Sequence, residues 1–272
     1  MADNDYQLLI DYIKKHISID GNLYKERPFK RRIAVRMRYT DQKSFGEYLE
    51  YLRYNQAEMM KLKDTLTINV TRFFRNRETF DFLGDVIFKD IVRKNQKVRI
   101  LSAGCSTGEE PYTLSMILKS FFRNSDGDYE IVGIDVDADA IEKAKIGIYS
   151  DYSFMELKHE EVARYFKKSG QHYILDEDIK RNVDFMIMDI KESDSLLTMG
   201  KFDLIICRNI LIYFSKDFQE SIISNFHKIL KQNGYLVLGK VEILTGYVKD
   251  MFETINRKER VFRKIDNKHQ NS

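Results

Sequence analysis

The chain has 272 residues, of which 43% are hydrophobic and 32% are charged, and its formal net charge is +3. This composition is typical of a globular protein and excludes a disordered or collagen-like chain, while the length allows about two domains. No apolar run reaches the roughly 18 residues that a membrane span needs, and the acidic start MADNDYQLL is unlike a secretory signal. We therefore expect a cytoplasmic protein without membrane insertion.

Charge and cysteine usage narrow the candidate partners and cofactors. Nine basic residues but two acidic ones lie between Lys14 and Arg38, so one surface near the N-terminus should attract an anionic partner. Cys105 and Cys207 are the two cysteines, and their spacing fits neither a metal site nor a CxxC motif. We expect two reduced structural thiols and no metal site.

Hydrophobic periodicity predicts helices first and an α/β sheet afterwards. Residues 1 to about 92 carry apolar positions at three- and four-residue steps. From residue 98, short β-branched runs alternate with helical stretches, including DADAIEKAKIGIY (137–149). This alternation predicts a doubly wound, mostly parallel sheet with helices on both faces. The predicted strands cover residues 98–104, 130–135, 183–189, 202–209 and 235–240, with a last strand in VFRKID.

The predicted domain organisation has a small helical domain, a larger α/β domain and a small insert. We expect the helical domain with a linker motif at residues 1–75 and the α/β domain at 76–272. Residues 151–184, here called the insert, hold one helix and a hairpin-like segment, SGQHYILDEDI.

The stretch AGCSTGEEP (103–111) follows the first strand and opens a helix, as nucleotide-binding loops do. Glu109 and Glu110 in this loop would repel a pyrophosphate. Asp135 ends the second strand, where an acidic residue accepts hydrogen bonds from ribose hydroxyls. Together these features favour a ligand with a ribose and a positive charge but no phosphate, such as S-adenosylmethionine. Each feature alone also has an ordinary structural explanation, as a helix start or a strand end.

Four motifs in order show a resemblance to the CheR-type chemoreceptor methyltransferases: INVTRFFR (68–75), AGCSTGEEPYTLSM (103–116), GIDVDADAIEKAKIGIY (133–149) and FDLIICRNILIYF (202–214). The resemblance implies a Rossmann-like methyltransferase domain with a small helical N-terminal domain and a small β insert. It also implies methyl transfer from S-adenosylmethionine, with S-adenosylhomocysteine as product, to glutamates on the cytoplasmic helical domain of chemotaxis receptors.

Site residues are carried over from the same resemblance. Arg75 and Tyr213 are implied as the catalytic pair, and the basic second helix is implied to contact the receptor through Arg32, Arg36 and Arg38. The short insert resembles members that do not depend on a receptor's C-terminal pentapeptide, and we expect a monomer. The implied cofactor contacts are Asn69, Thr71, Arg75, Gly104, Glu110, Asp135, Asp189, Ile190, Arg208 and Asn209.

Two other functions stay open on the sequence. A nucleic-acid methyltransferase would share the fold and use the basic surface, but the chain has no Pro-Pro motif after the fourth strand, and we expect no nucleic-acid partner. A non-catalytic S-adenosylmethionine sensor is the second alternative. The chain keeps the implied catalytic and cofactor-binding residues together, which argues against a sensor: Arg75, Glu110, Asp135 and Tyr213. A dinucleotide oxidoreductase is disfavoured by the acidic loop.

Overall fold

The computed structural model describes residues 2–17, 19–66, 71–122 and 128–265. The chain divides into two compact units. The first comprises Met1–Asn69 with Ile212–Gln219, and the second comprises Val70–Leu211 with Glu220–Ser272.

The first unit is helical, as predicted. Its apolar residues at three- and four-residue steps form a buried core that includes Leu9, Ile33 and Tyr48. Ser44 begins the third helix by accepting a hydrogen bond from the Glu47 backbone N–H at 3.1 Å, a standard N-cap. The helices are α1 (Ala2–Ile17), α2 (Glu26–Tyr39), α3 (Phe45–Tyr54) and α4 (Gln56–Leu66).

The second unit is built on a twisted sheet of seven strands within the described residues. The strands are β1 (Lys97–Ala103), β2 (Asp128–Asp135), β6 (Val183–Ile187), β7 (Phe202–Cys207), β8 (Leu230–Leu238), β9 (Phe252–Asn256) and β10 (Val261–Lys264). Their order is β6-β2-β1-β7-β8-β10-β9, with β10 antiparallel to both of its neighbours and the other pairs parallel. The strand order reverses between β1 and β7, so ligands are expected beyond the carboxyl ends of these strands.

Helices between the strands complete the predicted doubly wound architecture, which the structure confirms. A further helical stretch precedes β1, runs from Arg77 to Lys94 and includes a π-helical segment, Leu83–Phe88. The helices are α5 (Arg77–Phe82), α6 (Lys89–Lys94), α7 (Glu109–Phe122), α8 (Ala138–Ile146), α9 (His159–Tyr165), α10 (Glu177–Lys180), α11 (Ser193–Thr198) and α12 (Lys216–Ile229). In the described ranges, no helix combines the length and apolar character needed to cross a membrane.

A second, antiparallel sheet belongs to the insert, and here the helix prediction through Tyr149 is wrong. Helix α8 ends at Ile146 because Gly147 adopts a left-handed conformation, with φ +71°, which is a common way to terminate a helix. Ile148–Tyr149 then forms β3, which pairs with β5 (His172–Leu175), and β5 pairs with β4 (Phe166–Ser169). Strand β9 was also not predicted. The last residue of the predicted strand VFRKID, Asp266, lies outside the described residues.

Candidate active site

The glycine loop between β1 and α7 begins with a position that only glycine fits. Gly104 has φ +76°, and its backbone N–H donates to the Ile134 carbonyl at 2.7 Å. A Cβ atom at this position would lie 1.5 Å from Cδ1 of Ile210. Gly104 therefore keeps the ends of β1 and β2 and the loop after β7 close together at the carboxyl edge of the sheet.

Asp135, at the end of β2, organises the same loop. Its carboxylate accepts the backbone N–H of Ser106 at 2.8 Å and that of Asp137 at 3.0 Å. Burial raises the pKa of Asp135, and these N–H bonds oppose the rise. The buried Ser106 Oγ makes no hydrogen bond to the residues that the structure describes. Asp135 and this hydroxyl are the kinds of polar group that ribose hydroxyls and an amino-acid moiety require.

Glu109 and Glu110 are neighbours in sequence but have different surroundings. The Glu109 carboxylate accepts hydrogen bonds from the Thr107 hydroxyl at 2.6 Å and the Ser153 hydroxyl at 3.0 Å. The Glu110 carboxylate accepts one from the Ser102 hydroxyl at 2.9 Å. Burial raises the pKa of both carboxyl groups. Glu109 thus joins the loop to the insert, and Glu110 belongs to the edge of the sheet.

Arg208, directly after β7, links Glu110 to the turn that carries Arg75. Its Nη1 lies 3.3 Å from Glu110 Oε2, and its Nη2 donates to the Arg75 carbonyl at 2.8 Å and to Asn76 Oδ1 at 2.6 Å. The guanidinium is buried and lies over the Phe80 ring. Its positive charge limits the rise in the pKa of Glu110. The glycine loop and the Arg75 turn are therefore joined by one side chain.

Comparisons with known proteins identify the family of the chain. Residues 69–261 match the family described as "CheR methyltransferase, SAM binding domain", and residues 4–67 match "CheR methyltransferase, all-alpha domain". The chain belongs to the CheR methyltransferase family. It is an S-adenosylmethionine-dependent protein methyltransferase, so the predicted enzyme class and cofactor are confirmed.

Curated relatives match this CheR methyltransferase along most of their length. "Chemotaxis protein methyltransferase 1" of Pseudomonas aeruginosa is 31% identical, over 90% of this chain and 92% of its own. "Chemotaxis protein methyltransferase 2" of Vibrio cholerae is 30% identical, over 90% and 87%. "Chemotaxis protein methyltransferase" of Listeria monocytogenes is 30% identical, over 93% and 95%.

The loop after β8 supplies a residue of this CheR methyltransferase that is not among the site residues predicted from the sequence. The buried Glu242 carboxylate accepts backbone N–H groups from Gly239 at 2.6 Å, Ile210 at 3.0 Å and Asn209 at 3.1 Å. Asn209 itself has φ +63°. Glu242 therefore holds together the loops that follow β7 and β8. Its place after the predicted strand 235–240 does not reveal its backbone partners, so the sequence alone does not identify it.

The other predicted cofactor contacts are not part of the hydrogen bonds described above for the glycine loop, Arg208 and Glu242, or they lie outside the described residues. Asp189 follows β6, and its carboxylate forms an ion pair with Lys191 at 2.8 Å. Ile190, next to it, is buried. Thr71 is partly buried at the start of the segment that leads to Arg75, and Asn69 lies outside the described residues. Their contacts with S-adenosylmethionine stay predictions.

The polar groups at the carboxyl edge fit S-adenosylmethionine in charge and hydrogen bonding. Asp135 and Ser106 provide oxygens for ribose or amino-acid groups, and Glu110 is a carboxylate for a cationic group. Burial raises the pKa of the Cys105 thiol at this edge, which disfavours a reactive thiolate.

Tyr213 lies in the first unit, on the short segment that joins β7 to α12. Its carbonyl accepts the Lys25 backbone N–H at 2.8 Å, and the Arg32 guanidinium lies 4.0 Å from the centre of its ring. Arg32 also donates to the Leu66 carbonyl at 2.6 Å. The helical unit thus surrounds the predicted catalytic tyrosine with contacts from α2 and the segment before it.

The predicted receptor-binding arginines have different surroundings on α2. Arg36 donates to both oxygens of the buried Glu58, at 2.8 and 2.6 Å, and Tyr48 donates to the same carboxylate. Arg38 is exposed. Contact between these side chains and a receptor stays a prediction.

Proposed function

We propose that this enzyme transfers the methyl group of S-adenosylmethionine to glutamate side chains on the cytoplasmic helical domain of bacterial chemotaxis receptors. The observation that carries the proposal is the single guanidinium of Arg208, which contacts both Glu110 in the glycine loop and the Arg75 carbonyl. Arg75, the residue proposed to hold the glutamate, is in this way tied to the cofactor loop. Relatives named as chemotaxis protein methyltransferases support the same substrate class.

The proposed reaction needs positioning rather than a general base. A glutamate carboxylate, with an ordinary pKa of about 4.3, is already ionised at neutral pH. When bound, S-adenosylmethionine supplies a methyl group activated by its sulfonium. The Arg75 guanidinium holds the incoming carboxylate through two parallel hydrogen bonds, and the Tyr213 hydroxyl orients it. Both side chains act by alignment, so neither has to change its protonation state.

We place the receptor-binding surface on the exposed face of α2. Arg36 is engaged by Glu58, and Arg32 contacts Leu66 and Tyr213. Arg38 is exposed and lies seven residues after the exposed Arg31, so both face the same side of the helix. An acidic face on a receptor helix is the partner that such a surface fits.

We further propose that the enzyme does not require a receptor's C-terminal pentapeptide. The hairpin of the insert has strands of four residues, Phe166–Ser169 and His172–Leu175, joined by Gly170 and Gln171. Such a short edge offers few backbone groups to an added peptide strand. We also propose a cytoplasmic monomer that binds no nucleic acid.

The product of the reaction tests this function. The enzyme is incubated with labelled S-adenosylmethionine and membranes that carry a chemotaxis receptor, with or without its last five residues, and the membranes are then treated with mild alkali. Carboxyl methyl esters release methanol under alkali, whereas methylated bases and amines do not. We expect volatile label in equal amounts from both receptors. Alkali-stable label would identify another acceptor, and cofactor binding without transfer would identify a sensor.

A further inference from the structure

Arg75 lies between two residues whose backbone conformation is unusual. Phe74 has φ +54° and Asn76 has φ +62°, both in the left-handed region. This region is costly for residues other than glycine, and most of all for a bulky side chain such as phenylalanine. The turn is therefore not a conformation that the local sequence favours, and contacts from elsewhere in the unit must hold it.

Two contacts hold the segment before Arg75. The Phe73 backbone N–H donates to the Ser153 carbonyl at 3.0 Å, and the Phe74 N–H donates to the Thr113 hydroxyl at 3.1 Å. Thr113 belongs to α7, which follows the glycine loop, and Ser153 belongs to the insert. The turn is thus attached to both of these parts of the second unit.

Glu156, also in the insert, holds the segment after Arg75. Its Oε2 atom accepts the backbone N–H of Asn76 at 2.8 Å and that of Arg77 at 3.3 Å. The Glu156 carbonyl accepts Arg77 Nη1 at 3.0 Å, and the same guanidinium pairs with Glu161, with Nη1 at 2.8 Å from Oε2. The insert therefore contacts the turn through a partly buried network of backbone and charged groups.

Arg208 completes the support on the side of the sheet, through the Arg75 carbonyl and Asn76 Oδ1. Asn76 is consequently held by its backbone N–H from the insert and by its side chain from the end of β7. Asparagine tolerates the left-handed region better than most residues, and its amide supplies the acceptor that Arg208 uses.

We propose that the first part of the insert, through Glu156, is a positioning element for Arg75. This inference rests on the proposed role of Arg75 in holding the glutamate substrate. It gives the insert a function that is independent of any receptor tether: the insert fixes the direction in which the Arg75 side chain leaves the backbone. Because misplacement of a catalytic group by about 1 Å can cost roughly 100-fold in rate, a single carboxylate in this place has a large effect.

Removal and restoration of the Glu156 acceptor test the proposal. Glu156→Ala removes the acceptor of two backbone N–H groups, and we expect kcat to fall at least about tenfold while the Kd for S-adenosylmethionine changes less than about threefold. Glu156→Gln keeps an oxygen that can accept both N–H groups, so it should restore most of kcat. Glu160→Ala, which removes an exposed carboxylate of the same insert, is the matched control and should behave as wild type.

The possible outcomes separate this inference from the proposed function. If Arg75→Ala retains full transfer, the proposed role of Arg75 fails, and this inference fails with it. If Arg75→Ala abolishes transfer but Glu156→Ala keeps the wild-type kcat, the positioning role alone is wrong. An equal loss of kcat and of cofactor affinity in Glu156→Ala, not restored by Glu156→Gln, would show general loss of structure and would also overturn the inference. Circular dichroism at the assay temperature reports the folded fraction of each variant.

Discussion

At the scale of single residues, adjacent carboxylates have separate tasks. Glu109 is hydrogen-bonded to Thr107 and Ser153, so it stabilises the junction between loop and insert. Glu110 is hydrogen-bonded to Ser102 and lies beside Arg208, where a cationic ligand would meet it. Glu109 therefore contributes to the structure of the loop, and Glu110 is the carboxylate predicted to face the cationic group of the cofactor.

The first prediction concerns the affinity for S-adenosylmethionine. Because the pKa of Glu110 is raised, a proton competes with the cationic ligand at a higher pH than for an ordinary glutamate. The affinity of the wild type should therefore weaken as the pH is lowered from 8 towards 5, above the range in which an ordinary glutamate takes up its proton. Glu110→Gln should bind roughly tenfold more weakly at pH 8 and lose much of this slope, with a remainder from Asp135, whose pKa is also raised. Calorimetric titration at each pH measures the Kd for S-adenosylmethionine. A Glu110→Gln variant with the affinity and the pH dependence of wild type would contradict the prediction.

The second prediction concerns stability. The pKa of Glu109 is raised in the folded state, so its ionised form disfavours folding, and this penalty grows as the pH rises through the window above the unfolded value. Glu109→Gln carries no ionisable group there. The Tm of Glu109→Gln relative to wild type should consequently increase from pH 5 to pH 8. Thermal unfolding without cofactor measures both Tm values. A Tm difference between Glu109→Gln and wild type that decreases from pH 5 to pH 8 would contradict the prediction.

At the scale of elements, the carboxyl edge of the sheet is assembled by side chains that reach from one loop to the backbone of another. Glu242 does this between the loops after β7 and β8, and Asp135 does it between β2 and the glycine loop. Strand order brings these loops to one edge, and the buried carboxylates then fix their conformation. The strand order determines where the loops meet, and the hydrogen bonds of Glu242 and Asp135 fix the conformation of those loops.

Loss of the Glu242 carboxylate should lower stability strongly. Glu242→Ala leaves three backbone N–H groups without their acceptor, which costs about 1–3 kcal/mol for each group, so we expect a loss of at least roughly 3 kcal/mol in the free energy of unfolding. Glu253→Ala removes an exposed glutamate paired with Arg263 and should cost at most about 1 kcal/mol. Urea denaturation compares the two, and equal losses would refute a special role for Glu242.

The exposed face of α2 gives a prediction about receptor recognition. Arg31→Glu combined with Arg38→Glu should raise the KM for receptor membranes several-fold and leave the Kd for S-adenosylmethionine unchanged, with the effect weaker at high salt. The control is Arg93→Glu, which makes the same kind of substitution, with half of the charge change of the double variant, at an exposed position of α6. Initial rates against receptor concentration measure KM. An unchanged KM in the double variant would remove α2 from the receptor-binding surface.

At the scale of the whole molecule, the parts fixed by local pattern were predictable and the parts fixed by distant contacts were not. The β-branched runs predicted the parallel strands, because burial on both faces requires continuous apolar sequence. Strand β3 has two residues and exists only because β5 pairs with it, so no pattern marks it. Likewise, Gly104, Glu110 and Asp135 could be found from their places after strands. Glu156 and Glu242 could not, since their hydrogen bonds are made to the backbone of other segments.

The most direct test of the account is alkali-labile methyl transfer to receptor membranes by wild type, Arg75→Ala and Arg93→Ala in parallel. We expect wild type and Arg93→Ala to release the same amount of labelled methanol and Arg75→Ala to release almost none. We also expect Arg75→Ala to lose less of its affinity for S-adenosylmethionine than of its transfer activity. Wild-type methanol release by Arg75→Ala would show that Arg75 does not hold the glutamate substrate.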